Sequence, residues 1–163
     1  MAHMATDLAL HLDDDGATLR RGADASVLAQ ARLSDPDFEE RIAALHAQAV
    51  EIAGPDAPVD IVLPDSQVLY AEAAASGLDT IADEGRVRAA LEGLTPYPLD
   101  ELVYDWAEQD GRLRIAVVAR ETIEEAAGFA EQNGFRPRVY RAAAEGVDHP
   151  GQPVFELAGR PSP

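Results

Sequence analysis

The sequence predicts an α/β domain with mixed sheets, and three observations carry that class. Leu8, Leu10 and Leu12 alternate, as along a half-buried strand. Phe38, Ile42, Leu45, Ala49 and Ile52 follow at steps of four, three, four and three, which is one apolar stripe on one helix. Asp110-Gly111 separates two alternating arms, 101–109 and 112–119, as the two-residue turn of a hairpin. Helices interspersed among hairpins are the pattern of α/β or α+β with a mixed sheet.

Each element has a local reason. Asp13-Asp14-Asp15-Gly16 supplies turn chemistry after the first strand, and 17–21 returns as a second arm. A third strand runs over 26–33. At the first helix Ser34 or Asp35 caps and Pro36 suits the first turn, while Asp37, Glu39 and Glu40 favour the positive end. Gly54-Pro55 stops it. Residues 59–63 form a short apolar central strand; Pro64-Asp65 breaks it, and a strand resumes over 66–73 through Val68 and Tyr70. Thr80 caps a second helix with Ile81, Val87, Leu91 and Leu94 on its buried side, and Gly85 and Gly93 weaken it.

Thr95-Pro96-Tyr97-Pro98 is an extended, stiffened connection. In the hairpin, Leu102, Tyr104 and Trp106 share one face of the first arm, and Leu113, Ile115 and Val117 one face of the second. Thr122 and Glu125 form a capping box for a helix carrying Ile123, Ala126, Ala127 and Ala130, which Asn133-Gly134 ends. A last strand covers 135–142. The implied organisation is a tag remnant and start at 1–6, a first β-β-β-α-β-β subdomain at 7–79, a helix plus hairpin-helix-strand subdomain at 80–142, and a tail or linker at 143–163. Val154, Phe155 and Leu157 in that tail are candidates to dock on the domain.

Composition narrows the function. The 163 residues can bury a core without a disulfide or metal staple. The net charge is −17, and all 13 basic residues are Arg. Such a surface repels the phosphates of nucleic acid and anionic lipid and attracts a basic partner. With no cysteine, thiol nucleophiles, disulfides and cysteine-held metals are excluded. No apolar run approaches the roughly 18–20 residues that span a bilayer, and no basic-then-apolar leader is visible.

No constellation in the chain makes a self-contained catalytic or metal site, and no cofactor is expected. Asp13, Asp14 and Asp15 resemble the start of a cation loop with Asp24 at its twelfth position, but Ala17 and Leu19 stand where ligands belong. His3, His11, His46 and His149 include no i, i+4 pair. Glu39-Glu40 and Glu124-Glu125 read as solvated helix faces. Ser66 lacks the Gly-x-Ser-x-Gly elbow, and the absence of Lys rules out a P-loop. Of the aromatic set Tyr97, Tyr104 and Trp106, core packing is the default reading. Tyr97 is the surface candidate because Pro96 and Pro98 bracket it. The expected partner-binding residues are therefore Tyr97, Pro98 and Leu99.

The run Ile61-Val62-Leu63-Pro64-Asp65-Ser66-Gln67-Val68-Leu69-Tyr70 resembles the strand-turn-strand of the type II secretion system protein L and the actin-like pilus assembly protein M. The similarity continues through Leu94-Thr95-Pro96-Tyr97-Pro98-Leu99-Asp100-Glu101-Leu102, the hairpin, and a helix ending at Gly134-Phe135-Arg136-Pro137, over about residues 59–141. The resemblance implies a partial actin-like (ribonuclease H-like) lobe with an inserted strand-helix-strand-strand module. It implies a non-catalytic cytoplasmic scaffold of a bacterial inner-membrane assembly, secretion- or pilus-like, held at the membrane through a segment outside this sequence. The implied partner is another protein of that assembly or a second copy, with no nucleic acid and no direct membrane contact. The alternative is the first lobe of an actin-like ATPase. There Leu12-Asp13-Asp14-Asp15-Gly16 only loosely matches the phosphate hairpin, because no small hydroxyl residues follow.

Overall fold

The computed structural model describes residues 8–21, 26–144 and 153–155. Two compact units result, Met1–Pro64 with Glu124–Arg141, and Asp65–Ile123 with Ala142–Pro163.

In the first unit β1 (Leu8–Asp13), β2 (Gly16–Arg21) and β3 (Ser26–Arg32) form an antiparallel meander. After α1 (Phe38–Ala53), β4 (Pro58–Leu63) lies parallel to β1, pairing Leu10 with Ile61. Most of α3 (Arg120–Gln132) and β8 (Arg136–Ala142) complete the unit, and its strands stand in the order β3-β2-β1-β4-β8. Leu8, Leu10, Leu19, Val59, Ile61 and Leu63 are buried in it. The predicted helical stripe is real: Ile42, Leu45 and Ala49 are buried, and Phe38 and Ile52 are half-buried at its ends. The cap differs. The helix starts at Phe38 after Asp37, which makes no side-chain cap bond, while the Asp35 carboxylate accepts the Arg32 N–H at 3.1 Å and turns the chain earlier.

The second unit holds a one-turn 3-10 segment (Asp65–Gln67), β5 (Leu69–Ala74), α2 (Thr80–Glu92), a second such turn (Leu99–Glu101), and the hairpin β6 (Leu102–Gln109) and β7 (Arg112–Ala119). The strands stand as β5-β7-β6, all antiparallel, so this is the expected strand-helix-strand-strand module. Asp110 (φ 55°) and Gly111 (φ 77°) are both left-handed, the type I′ turn that the dipeptide predicts. Leu102, Leu113, Ile115 and Val117 meet Val87 and Leu91 of α2 in one cluster, with Tyr104 and Trp106 half-buried against it.

Several local expectations shift. The strand foreseen over 66–73 begins at Leu69, because Asp65 holds the preceding turn: its carbonyl accepts the Val68 N–H and its carboxylate the Tyr70 hydroxyl at 2.6 Å. Asp79, not Thr80, caps α2, its carboxylate accepting the Ala82 N–H at 2.8 Å. The buried side of α2 is Asp83, Val87 and Leu91, and Ile81 is turned outward, 81% exposed. Leu94 lies past the helix end, largely exposed. The capping box at Thr122 and Glu125 does not open α3: the helix starts at Arg120, directly after β7, and Thr122 falls inside its first turn.

The units also divide the chain differently from the contiguous blocks 7–79 and 80–142. Because β5 pairs with β7, the chain from Asp65 belongs with the hairpin, and 124–141 returns to the first sheet. Within the stretch expected as tail or linker, β9 (Val154–Phe155) attaches to the end of β8, where the Ala142 N–H donates to the Pro153 carbonyl at 3.1 Å. Phe155 is buried, as expected of a docked side chain. Leu157 and the start at 1–6 lie outside the described residues.

Candidate protein-interaction site

The segment between α2 and β6 is built locally. The Thr95 hydroxyl accepts the Tyr97 N–H at 3.1 Å and donates to the Tyr97 carbonyl at 3.3 Å, satisfying a stretch in which two prolines lack donors. Pro98, extended at φ −67° and ψ 157°, leads into the turn Leu99–Glu101, where the Glu101 N–H donates back to the Pro98 carbonyl. Arg120 donates through Nε to the Asp100 carbonyl at 3.3 Å. The three predicted residues are thus contiguous and divide their work. Leu99 packs inward against the module's core cluster, while Pro98 is exposed and Tyr97 is 47% exposed. A tyrosine on a stiff segment offers large contact area at small entropic cost.

Tyr104 and Trp106 have a different task. The Tyr104 hydroxyl and the Trp106 indole N–H (3.0 Å) donate to the two carboxylate oxygens of Glu84 on α2. They clamp the helix onto the hairpin and give each half-buried aromatic its polar partner. Glu84 was not singled out in the sequence. No local signal marks it, because the α2 register that turns it toward the two aromatics is set by packing.

The remaining candidates resolve into structure. The Asp13 carboxylate accepts the N–H groups of Asp15 (2.8 Å) and Gly16 (2.9 Å), so it closes its own turn. Asp24 lies outside the described residues, as do His3 and His149. His46 sits edge-on to Phe135, with ring centroids 5.4 Å apart. Ser66 is exposed in the turn Asp65–Gln67. Glu39, Glu40, Glu124 and Glu125 are exposed on their helices. His11 is half-buried in β1, and its pKa is lowered to about 4 by burial, then by Arg20 and Arg141, against an opposing pull from Asp13. Asp83 is on the buried side of α2; the Ser76 N–H, donating at 2.7 Å, holds its carboxyl below the usual carboxylate range. Among the described residues no group of three or more His, Cys, Asp or Glu is arranged to hold a metal ion, and no helix is long and apolar enough to cross a membrane.

No protein-family model matches the chain, and no curated protein does. Solved structures match its fold, among them the following two. One is the cytoplasmic domain of EpsL, an inner membrane component of the type II secretion system of Vibrio cholerae, with a TM-score of 0.59 and 12% identity over 82% of this chain and 55% of that one. The other is the PilM-PilN type IV pilus biogenesis complex, with a TM-score of 0.56 and 20% identity over 83% of this chain and 46% of that one. The chain spans about half the length of each. With its meander, its parallel fourth strand and its inserted module, this chain has the actin-like fold of EpsL and PilM.

Proposed function

We propose that this chain is a non-catalytic scaffold or adaptor domain of a bacterial inner-membrane assembly, working in the cytoplasm by binding another protein through Tyr97, Pro98 and Leu99. The observation that carries the reading is the fold shared with two assembly components. Support comes from the exposed Tyr97 on its proline-stiffened segment and from the net charge of −17, which favours a basic partner surface.

The test is a photo-crosslinking residue placed at position 97 in cells of the parent organism, with position 128 as control. Gly128 lies on α3 with nothing within 4 Å of an added Cβ. Position 97 is expected to yield an adduct with a membrane-assembly protein, and position 128 none. Failure of position 97 to give a specific adduct, together with a monomeric protein in solution, refutes the reading. The second reading is the first lobe of an actin-like ATPase, favoured by the fold and by the Asp13–Gly16 hairpin that follows its first strand. Saturable ATP binding by the full-length protein, lost on altering that hairpin, would favour it.

A further inference from the structure

The described strands leave four sheet edges, and three of them are blunted or covered. β3 carries the register shift between Leu19 and Arg20, an irregularity that spoils an edge for pairing. β9 is two residues long. β6 is approached by β9, whose Val154 N–H donates to the Asp105 carboxylate at 2.9 Å. β5 is different. It runs six residues without Pro or Lys, in unbroken register with β7, and no other strand among the described residues pairs with it.

The hairpin fixes which backbone groups of β5 face outward. A two-residue I′ turn is closed by a hydrogen-bonded pair, here Gln109 and Arg112. Alternation turns the backbone of Arg112, Arg114 and Ala116 toward β6, and that of Leu113, Ile115 and Val117 toward β5. Their partners Ala73, Ala71 and Leu69 are bonded inward, so Glu72 and Ala74 present N–H and C=O to the open side. Two bonds agree with this phase. The Ala75 N–H donates to the Gly111 carbonyl at 3.0 Å, and Arg86 donates to the Ala74 carbonyl at 3.4 Å.

Charge opposes contact between two copies of a chain of net charge −17, but this edge is locally relieved of it. Glu72 is the one acid in β5, and its carboxylate is held by Arg112 Nε at 3.0 Å and Arg114 Nη1 at 2.8 Å. Both ends of the strand carry an apolar side chain in water. Leu69 is 42% exposed, and Leu78, in the loop that follows, is 82% exposed.

We propose that β5 pairs antiparallel with β5 of a second copy, joining two three-stranded sheets into one of six strands across a twofold axis at Ala73. Glu72 then lies opposite the partner's Ala74, and their outward N–H and C=O groups satisfy each other. The two Ala73 methyls meet at a non-hydrogen-bonded position, where strands come closest and small side chains fit. Leu69 of each copy is brought toward the loop that carries the partner's Leu78, so both exposed leucines gain cover. An axis at Glu72 would set like charges opposite each other, and an axis at Ala71 would leave Leu78 in water. So short a pairing buries less than the about 800 Å² per partner of a standard interface, and the dimer forms at high concentration. It uses none of Tyr97, Pro98 and Leu99, so it stands or falls apart from the scaffold reading.

The test is sedimentation velocity over a concentration series, with amide hydrogen exchange measured at both ends of the series. A reversible dimer is expected, with exchange at Glu72 and Ala74 slowing as it fills. The Ala71 and Ala73 amides, already bonded to β7, should change less. Ala74→Pro removes an outward N–H that β7 does not use, and should weaken association by at least about tenfold. Ala74→Lys, a charge that guards an edge, should do the same, and Leu78→Ser should weaken it less. Leu33→Ser, at an exposed residue following β3, should leave it unchanged. A monomer at every concentration overturns the proposal and leaves the edge to a strand of another protein. A dimer that forms without slowing Glu72 and Ala74, or that survives both changes at Ala74, overturns it as well. Exchange in the wild-type protein decides even where a variant fails to fold.

Discussion

Acidification should destabilise the first unit through His11. The ordinary pKa of 6.5 falls to about 4 in the folded chain, with burial the largest cause and Arg20 and Arg141 next. The unfolded chain therefore binds the proton first. Between pH 6.5 and about 4 the unfolded state carries more protons than the native state, so stability falls as pH falls through this window. Full realisation of the gap would be worth about 3 kcal/mol. His11 keeps part of its surface in water, and screening reduces this to about 1.5 kcal/mol. Urea unfolding in phosphate-free buffer at steps from pH 7 to pH 4 measures it. His11→Gln carries no such proton, and its stability should decline less over the same window, by about 1.5 kcal/mol. Parallel pH curves for the two proteins would refute the reasoning, because carboxylates common to both would then explain the whole loss.

Other perturbations act on packing and caps. Gly16→Ala should cost about 3 kcal/mol or more in denaturant unfolding: an added Cβ would lie 2.1 Å from the Ala31 carbonyl oxygen, in backbone that must move to admit it. Gly134→Ala should be milder, since the Cβ meets the movable His46 ring at 2.7 Å, although φ is +89° there. Asp79→Ala removes the Ala82 N–H acceptor and should cost about 1 kcal/mol, whereas Thr80→Ala should cost little. Glu84→Ala removes the acceptor of the Tyr104 hydroxyl and the Trp106 indole N–H, and a loss of about 2 kcal/mol with altered Trp106 fluorescence is expected.

What could be read from the sequence follows from how local the physics is. The hairpin at Asp110-Gly111 was legible because the turn and both alternating faces sit within about twenty residues, and the I′ geometry needs those residue types. The α1 stripe was legible for the same reason: Ile42, Leu45 and Ala49 repeat without reference to anything distant. Asp79 and Thr80 are both good caps, and only the packing of Val87 and Leu91 selects the register that puts Asp83 inside and Ile81 outside. The division of the chain was hidden altogether, because the pairing of Leu69 with Val117 joins residues far apart in sequence. The exposure of Tyr97 was legible from its flanking prolines. The lowered pKa of His11 was not, since its burial and the charges of Arg20 and Arg141 come from strands brought together only by the fold.

The exposed apolar residues of the second unit bear on how far a partner would reach. Leu78 and Ile81, 82% and 81% exposed, lie at the start of α2, and Leu94 and Tyr97 lie at its end. Across 13 residues of helix the two groups stand about 20 Å apart, inside the span of a standard interface of about 800 Å² per partner. Large side chains so exposed add little to the stability of the free domain, and Ile81→Ser should change it by less than about 0.5 kcal/mol. If one partner covers both ends of α2, Ile81→Ser and Tyr97→Ala should each reduce crosslinking or co-purification while leaving urea midpoints unchanged. Loss with Tyr97→Ala alone would confine the footprint to the Tyr97 end. Loss with neither would remove the exposed face of α2 from the binding surface and, with it, the assignment of Tyr97 as the anchor.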